Sequence, residues 1–118
     1  APNGDTANKI GTYTLSIVAK ENKIPFYVAA TKSSFDFSLK DGSQIPIEMR
    51  DEEELTQNSF LKDISGNPYL PKGVLSPMGA RALNPAFDIT PAKYISAIVT
   101  ELGVIQPVNR REIKRVVG

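Results

Sequence analysis

Apolar residues recur at helical spacing near the start of the chain and then give way to an unbroken apolar run. We predict a helix from Asp5 to Asn22, with the Asp5 carboxylate as its N-cap. The run from Ile24 to Ala30 is typical of a strand covered on both faces, as in a parallel sheet. A helix followed by a buried strand is half of a doubly wound α/β unit. The predicted helical stripe consists of Ala7, Ile10, Thr14, Ile17 and Val18, with Tyr13 at its edge.

The middle of the chain has weaker patterns. Thr31 to Lys40 fits either a strand or a packed loop, and Asp41-Gly42 signals a turn. Gln44 to Met49 alternates well enough to predict a short strand, and its internal proline places that strand at a sheet edge. Repeated Gly and Pro residues from Thr56 to Asn84 predict a long irregular loop. Loops of this length are usually functional or mobile.

Regular structure returns near the end of the chain. Thr90 and Pro91 predict a helix start, with Thr90 as N-cap and Pro91 in the first helical position, and Gly103 would end this helix. Val104-Ile105 predicts a short strand, and Asn109 can cap a last helix. The apolar stripe of the helix that begins at Pro91 would consist of Tyr94, Ile95, Ile98, Val99 and Leu102.

Composition narrows the chemistry more than the fold. The 118 residues suit one small domain, and a formal net charge of +1 implies neither a nucleic-acid partner nor an acidic substrate. The sequence has no cysteine and no histidine, which excludes a thiolate nucleophile, a disulfide and an imidazole base within it. No apolar run approaches the length of a membrane span. We therefore expect no metal, cofactor, nucleic acid or membrane, and an enzyme built from this segment alone would be unusual.

The segment N-G-D-T-A-N-K, from Asn3 to Lys9, is the main candidate for binding. If it opens a helix, unpaired backbone N–H groups and the positive end of the helix dipole favour an anion there. Gly4 lets the backbone approach a ligand, Lys9 adds a charge and the Asn8 amide can donate. The glycine spacing fits neither a Walker loop nor a dinucleotide fingerprint. From these residues alone, a capped helix with a solvated lysine is the more common interpretation.

Five blocks of sequence together resemble a known enzyme family. They are N-G-D-T-A-N-K-I-G-T-Y, I-P-F-Y-V-A-A, I-P-I-E, N-P-A-F-D-I-T-P and I-V-T-E-L-G-V-I, and they extend from Asn3 to about Pro107. In this order they resemble the C-terminal region of 5-methylthioribose-1-phosphate isomerases. Those enzymes are related to the alpha, beta and delta regulatory subunits of the guanine-nucleotide exchange factor of translation initiation. Leu75 to Leu83 departs from the family pattern, being longer or rearranged.

The resemblance implies a fold and an activity. The implied fold is α/β, a Rossmann-like C-terminal half with parallel strands flanked by helices, a long irregular loop and a C-terminal helix. Residues 1–118 would form the C-terminal part of the catalytic domain, without the N-terminal domain and the first half of the α/β domain. The implied reaction converts the aldose 5-methylthioribose 1-phosphate to the ketose 5-methylthioribulose 1-phosphate in methionine salvage. Two alternatives stay open: a non-catalytic regulatory subunit of translation initiation, and an isomerase of ribose 1,5-bisphosphate.

The resemblance also implies roles for individual residues and partners. Asn8 and Lys9 fall on the pair that contacts the phosphorylated sugar in the family. The family's catalytic cysteine lies far upstream and its catalytic aspartate would fall just before Ala1, so we expect no catalytic residue here, and Asp5 is not that aspartate. We expect the N-terminal portion of the same protein, present as part of one polypeptide or as a separate chain, to complete the site. A homodimer is also expected, in the cytoplasm and, in a eukaryote, also in the nucleus.

Other polar and aromatic residues have simpler interpretations. Asp88 lies just before a predicted helix and is expected to stabilise its start rather than to act in catalysis. Four basic residues near the C-terminus are expected to form a solvated helix face rather than a nucleic-acid site. Two tyrosines within apolar stretches are expected in the core or an interface. The basic residues are Arg110, Arg111, Lys114 and Arg115, and the tyrosines are Tyr13 and Tyr27.

Overall fold

A computed structural model describes residues 1–57, 64–67 and 73–118. These residues form two compact units, one made of Ala1–Ile47 with Phe87–Gly118 and the other of Glu48–Ala86. The strands are β1 (Thr6–Lys9), β2 (Tyr27–Ala29), β3 (Phe87–Thr90), β4 (Ala97–Thr100) and β5 (Gly103–Ile105). The helices are α1 (Thr12–Glu21), α2 (Glu53–Thr56) and α3 (Arg110–Val117), with 3₁₀ turns at Lys32–Ser34, Gly42–Gln44 and Ala92–Tyr94.

The first unit contains two small sheets. β1 pairs with β3 in antiparallel register, with Asn8 opposite Asp88. In the other sheet β4 lies between β2, to which it is parallel, and β5, to which it is antiparallel. The predicted mixture of helices and strands is confirmed, and so is parallel pairing for β2 and β4. The antiparallel pairs were not expected.

The N-terminal helix prediction is wrong for its first half. Residues Thr6–Lys9 form a strand, and α1 begins only at Thr12, after Gly11 with a φ of 101°. This left-handed conformation suits glycine and separates strand from helix. Asp5 is not the N-cap of α1, because its carboxylate accepts backbone N–H groups from Gly42 and Ala92 instead.

The predicted apolar stripe of this helix is also wrong. The buried residues of α1 are Ser16 and Ala19, whereas Ile17 and Val18 are exposed, as is Ile10 before the helix. Small side chains on the packed face let α1 lie close to its neighbours. The Ser16 hydroxyl donates to the carbonyl of Tyr13 at 2.7 Å, and because of this hydrogen bond the burial of Ser16 costs little free energy.

The helix predicted from Pro91 to Gly103 does not form. Thr90 ends β3 and caps nothing, Ala97–Thr100 is a strand, and Gly103 opens β5 rather than closing a helix. The apolar residues that suggested a helical stripe are largely β-branched, and β-branched side chains pack well in a pleated sheet. Because Ala97–Thr100 pairs with β2 and β5, this segment forms a strand and not a helix.

Three further predictions have mixed results. The strand at Ile24–Ala30 shortens to β2, and its burial on both faces is wrong, because Tyr27 and Ala29, which share one face, are exposed, Tyr27 to 60%. Gln44–Met49 is not a strand, and only Met49 forms a single bridge, to Pro85. The strand at Val104-Ile105 is confirmed as part of β5.

The long loop predicted from Thr56 to Asn84 belongs to the second unit. Its described residues include a bridge between Gln57 and Val74, and residues 58–63 and 68–72 lie outside the described part. In the same unit the carboxylate of Glu54 holds the Arg50 guanidinium at 2.6 Å.

The core of the first unit forms around α3. The Asn109 side chain accepts the Glu112 N–H at 3.0 Å, which confirms the predicted cap. The basic residues of α3 are exposed, as expected for a solvated face. The buried cluster consists of Ile95, Ile98, Ile105, Ile113 and Val117, with Phe26, Val28, Val108 and Val116 packed against it.

Truncation to alanine should lower the free energy of unfolding more at a buried isoleucine than at an exposed one. Ile113→Ala should lower the free energy of unfolding by about 2–5 kcal/mol, since the side chain is fully buried. Ile24→Ala makes the same chemical change at a residue that is 60% exposed, and should alter it by about 0.5 kcal/mol or less. Urea unfolding of both variants measures the difference, and equal losses would contradict the assigned core.

Candidate functional site

A cavity of about 470 Å³ opens in the first unit between β1 and β2. Thr6, Ala7 and Asn8 of β1 line it on one side, and β2 lines it on another. The loop that follows β2 contributes Ser34, Phe35 and Asp36. In open α/β sheets, ligands bind outside the carboxyl ends of parallel strands, and the loop after β2 leaves such an end.

Asp5 holds the framework of this cavity together. Its Oδ2 accepts from the Asn3 side-chain amide at 2.7 Å and from the Gly42 N–H at 3.0 Å, and its Oδ1 accepts from the Ala92 N–H at 2.9 Å. Burial opposes ionisation, but the hydrogen bonds from Asn3, Ala92 and Gly42 outweigh it and hold the pKa of Asp5 below its usual value. A side chain occupied in this way supports structure rather than proton transfer.

The structure places the two predicted substrate-binding residues on β1 rather than on a helix. Asn8 is exposed and lines the cavity. Lys9 is the next residue and is also exposed, but it is not among the residues that line the cavity. Asn8 therefore faces the cavity, and Lys9 lies next to it along the strand.

The helix N-terminus that was expected to bind an anion is already occupied. The Asp88 carboxylate accepts from the Gly11 N–H at 2.7 Å and from the Tyr13 N–H at 3.1 Å. Asp88 does stabilise a helix start, as expected, but the helix is α1 and not the one predicted after Pro91. These two donors are satisfied, and the negative charge of Asp88 disfavours a second anion at this helix start.

The lining of the cavity is polar at some positions and apolar at others, and its charged side chains are acidic. Asp5 and Asp36 are its acidic side chains, and the described lining contains no Lys or Arg. Phe26, Val28 and Ile98 supply apolar surface. The cavity thus suits an uncharged or partly apolar part of a ligand.

Two residues of the cavity were missed from the sequence. Asp36 lines it from the loop after β2, and Thr90 lines it from the end of β3. The Thr90 hydroxyl is buried and has no hydrogen-bond partner among the residues that the structure describes. The only sequence signal for Asp36 was its place after the strand Ile24–Ala30, whereas nothing local marked Thr90 as a cavity residue.

The two tyrosines differ. Tyr13 is half-buried and its ring meets that of Tyr94 edge-on, with centroids 5.6 Å apart. Tyr27 lies on the exposed edge strand, which is not a core position in this chain.

Within residues 1–57, 64–67 and 73–118, no group of three or more acidic residues lies close enough together to hold a metal ion. None of the helices in those ranges is long and apolar enough to span a membrane.

Comparison with known proteins identifies related sequences. A profile of the Initiation factor 2 subunit family matches residues 1–107. A methylthioribose-1-phosphate isomerase of Leptospira interrogans is 58% identical over 116 residues, which are 98% of this chain and 32% of the relative. A protein of the same name from Leptospira biflexa is 64% identical over 107 residues, 91% of this chain and 30% of the relative. The chain thus spans about a third of the length of these curated relatives.

Two solved structures share the fold. The crystal structure of 5-methylthioribose 1-phosphate isomerase from Pyrococcus horikoshii OT3 matches with a TM-score of 0.76 and 42% identity, over 98% of this chain and 29% of that one. The structure of translation initiation factor eIF-2B, subunit delta, from A. fulgidus matches with a TM-score of 0.71 and 40% identity, over 93% of this chain and 30% of that one.

The ionised form of Asp5 should stabilise the first unit in a defined pH range. Because its pKa is lower in the folded state than its unfolded value of about 3.9, its contribution is complete above that value and is lost as the pH falls through the folded pKa. Asp5→Asn should therefore be less stable at neutral pH and lose less stability between about pH 4 and pH 2. Urea unfolding at several pH values tests this, and parallel curves for the two proteins would contradict the assignment.

Proposed function

The chain belongs to the Initiation factor 2 subunit family, and on that premise we propose that it is the C-terminal part of a sugar-phosphate isomerase. The complete enzyme would interconvert the aldose 5-methylthioribose 1-phosphate and the ketose 5-methylthioribulose 1-phosphate in methionine salvage. The observation that carries the proposal is the identity of 58% and 64% to relatives named methylthioribose-1-phosphate isomerase over nearly the whole chain.

Asn8 and Lys9 would bind the phosphorylated end of the sugar. Asn8 can donate its side-chain amide at the cavity wall. We infer that the flexible Lys9 side chain reaches the phosphate from the next position along β1. Since the N-terminus of α1 is occupied by Asp88, these two side chains are the phosphate-binding groups that β1 offers. Holding the phosphate fixes the position of the sugar carbons, which is a large part of catalysis for a substrate that must be oriented.

The reacting groups would come from the rest of the polypeptide. The chain has neither cysteine nor histidine, and the partly buried carboxylate of Asp5 is engaged in three hydrogen bonds. The chain's own task is therefore positioning and electrostatic stabilisation, while proton or hydride movement is assigned to residues outside it.

A second candidate is a non-catalytic regulatory subunit of translation initiation. The A. fulgidus structure named as a subunit of eIF-2B, with 40% identity, favours it. A third candidate, a ribose 1,5-bisphosphate isomerase, keeps the same binding pair and differs in substrate. Measured turnover would distinguish an isomerase from a regulatory subunit, which should show none. Competition binding with the two sugar phosphates would distinguish the two isomerases.

The rest of the polypeptide would also complete the fold. β2 has an open edge, and α1 exposes Leu15, Ile17 and Val18 to solvent. A parallel sheet is normally covered on both faces, and large exposed apolar surfaces mark interaction sites. We propose that the N-terminal portion extends this sheet to a Rossmann-like one, and that the enzyme is a homodimer.

The substrate role is tested with the full-length enzyme. The unmodified enzyme should convert the aldose phosphate to the ketose phosphate, and Lys9→Ala should raise KM about tenfold or more, because a charge-assisted contact to phosphate is lost. Lys23→Ala removes another exposed lysine, which lies in the turn after α1 and not on β1, and should leave KM within about twofold.

An unchanged KM in Lys9→Ala would contradict the role of Lys9. A complete lack of turnover by the unmodified enzyme would instead favour the regulatory subunit.

Hydrogen exchange tests the proposal that the rest of the polypeptide covers α1. Hydrogen exchange of the full-length protein should show slower exchange at α1 and β2 than the 118-residue chain does, because burial protects these amides. Equal exchange in the two proteins would mean that the open edge of β2 stays uncovered.

Sedimentation of the full-length protein measures whether two copies associate.

A further inference from the structure

Asp36 is held in place by a local turn. Its Oδ1 accepts from the backbone N–H of Ser38 at 2.9 Å and from the Ser38 hydroxyl at 2.6 Å. This is the arrangement of an Asx turn, in which an aspartate bonds the backbone two residues further on. These hydrogen bonds from Ser38 also lower the pKa of Asp36, so the carboxylate is ionised at neutral pH. One oxygen therefore fixes the side chain and keeps it charged.

The other carboxylate oxygen is available. No group in the described part of the chain donates to Oδ2 of Asp36, and the residue is exposed while lining the cavity. It follows the carboxyl end of β2, which is the usual side for ligands in an open α/β sheet. Asp5, the other acidic side chain of the cavity, has both oxygens occupied. Asp36 is therefore the carboxylate of the lining that has a free acceptor.

We propose that Asp36 is a substrate-binding residue that accepts hydrogen bonds from the hydroxyl groups of the sugar, an assignment that rests on the proposed isomerase function. An ionised carboxylate accepts stronger hydrogen bonds than a neutral oxygen, and sugar hydroxyls can donate to it. A side chain already fixed by Ser38 loses little conformational freedom on binding, so more of the contact energy is realised.

The same carboxylate sets the direction in which the substrate binds. A phosphate dianion near Asp36 would meet a like charge at short range, which is unfavourable. Lys9 follows Asn8 on β1 and is the cation that this strand provides. The phosphate thus lies toward Asn8 and Lys9, and the hydroxyl-bearing carbons lie toward Asp36.

The chain contains a matched control for this residue. Asp41 accepts from the backbone N–H of Ser43 at 3.0 Å and from the Ser43 hydroxyl at 2.6 Å, in the same kind of turn. Its pKa is also lowered by hydrogen bonds from Ser43, but Asp41 does not line the cavity. Asparagine can keep either turn, since its side-chain oxygen accepts the same hydrogen bonds. The two substitutions therefore differ in whether the lost charge faces the cavity.

The experiment measures Asp36→Asn and Asp41→Asn in the full-length enzyme. KM and kcat are determined with 5-methylthioribose 1-phosphate, and inorganic phosphate serves as a competitive inhibitor. Asp36→Asn should raise KM about tenfold or more, with an inhibition constant for inorganic phosphate that is unchanged or lower, because a repulsive charge is removed. Asp41→Asn should leave both constants within about twofold. Thermal melting confirms that both variants are folded.

Each outcome has a separate meaning. Equal KM values for the two variants would overturn the assignment of Asp36 while leaving the isomerase function in place. A parallel rise in KM and in the inhibition constant for phosphate would also overturn it, since Asp36 would then act on the phosphate end. If the unmodified enzyme shows no turnover, the proposed function fails, and the assignment of Asp36 that rests on it fails as well.

Discussion

The carboxylate of Asp5 is the interaction on which the first unit depends. It joins three stretches that are distant in sequence, through the Asn3 side chain and the backbone N–H groups of Gly42 and Ala92. Gly42 can approach so closely only without a side chain, because an added Cβ would lie 2.7 Å from the Cβ of Asp5 and from the Ile89 side chain. These contacts set the course of β1 and therefore the position of Asn8 at the cavity.

Three aspartates of the first unit have different roles because their oxygens have different partners. Asp5 accepts hydrogen bonds from the backbone of Gly42 and Ala92 and so joins these segments. Asp88 accepts hydrogen bonds from the N–H groups of Gly11 and Tyr13 at the start of α1. Asp36 lines the cavity, and among the described residues donors are found for one of its two oxygens. Because the Asp88 carboxylate places a negative charge at the start of α1, the proposed phosphate contacts are assigned to the side chains of Asn8 and Lys9 and not to the helix dipole.

Local signals in the sequence predicted some elements and misled on others. The cap at Asn109 and helix α3 depend on residues close in sequence, and they were predictable. The segments Asp5–Asn22 and Pro91–Gly103 contain strands because partners far along the chain pair with them, as β3 does with β1. Asn8 and Lys9 were assigned through family resemblance, and their role stays a prediction. Asp36 was not assigned, since its place in the cavity depends on how β1, β2 and the loop after β2 come to line the same space.

The central claim is that Asn8 and Lys9 bind the phosphate of a sugar substrate. A crystal structure of the full-length protein with 5-methylthioribulose 1-phosphate bound tests it most directly. We expect phosphate oxygens within hydrogen-bonding distance of the Asn8 side-chain amide and the Lys9 ammonium, with the sugar in the cavity beside β1. A phosphate bound elsewhere, with both side chains in bulk solvent, would contradict the account.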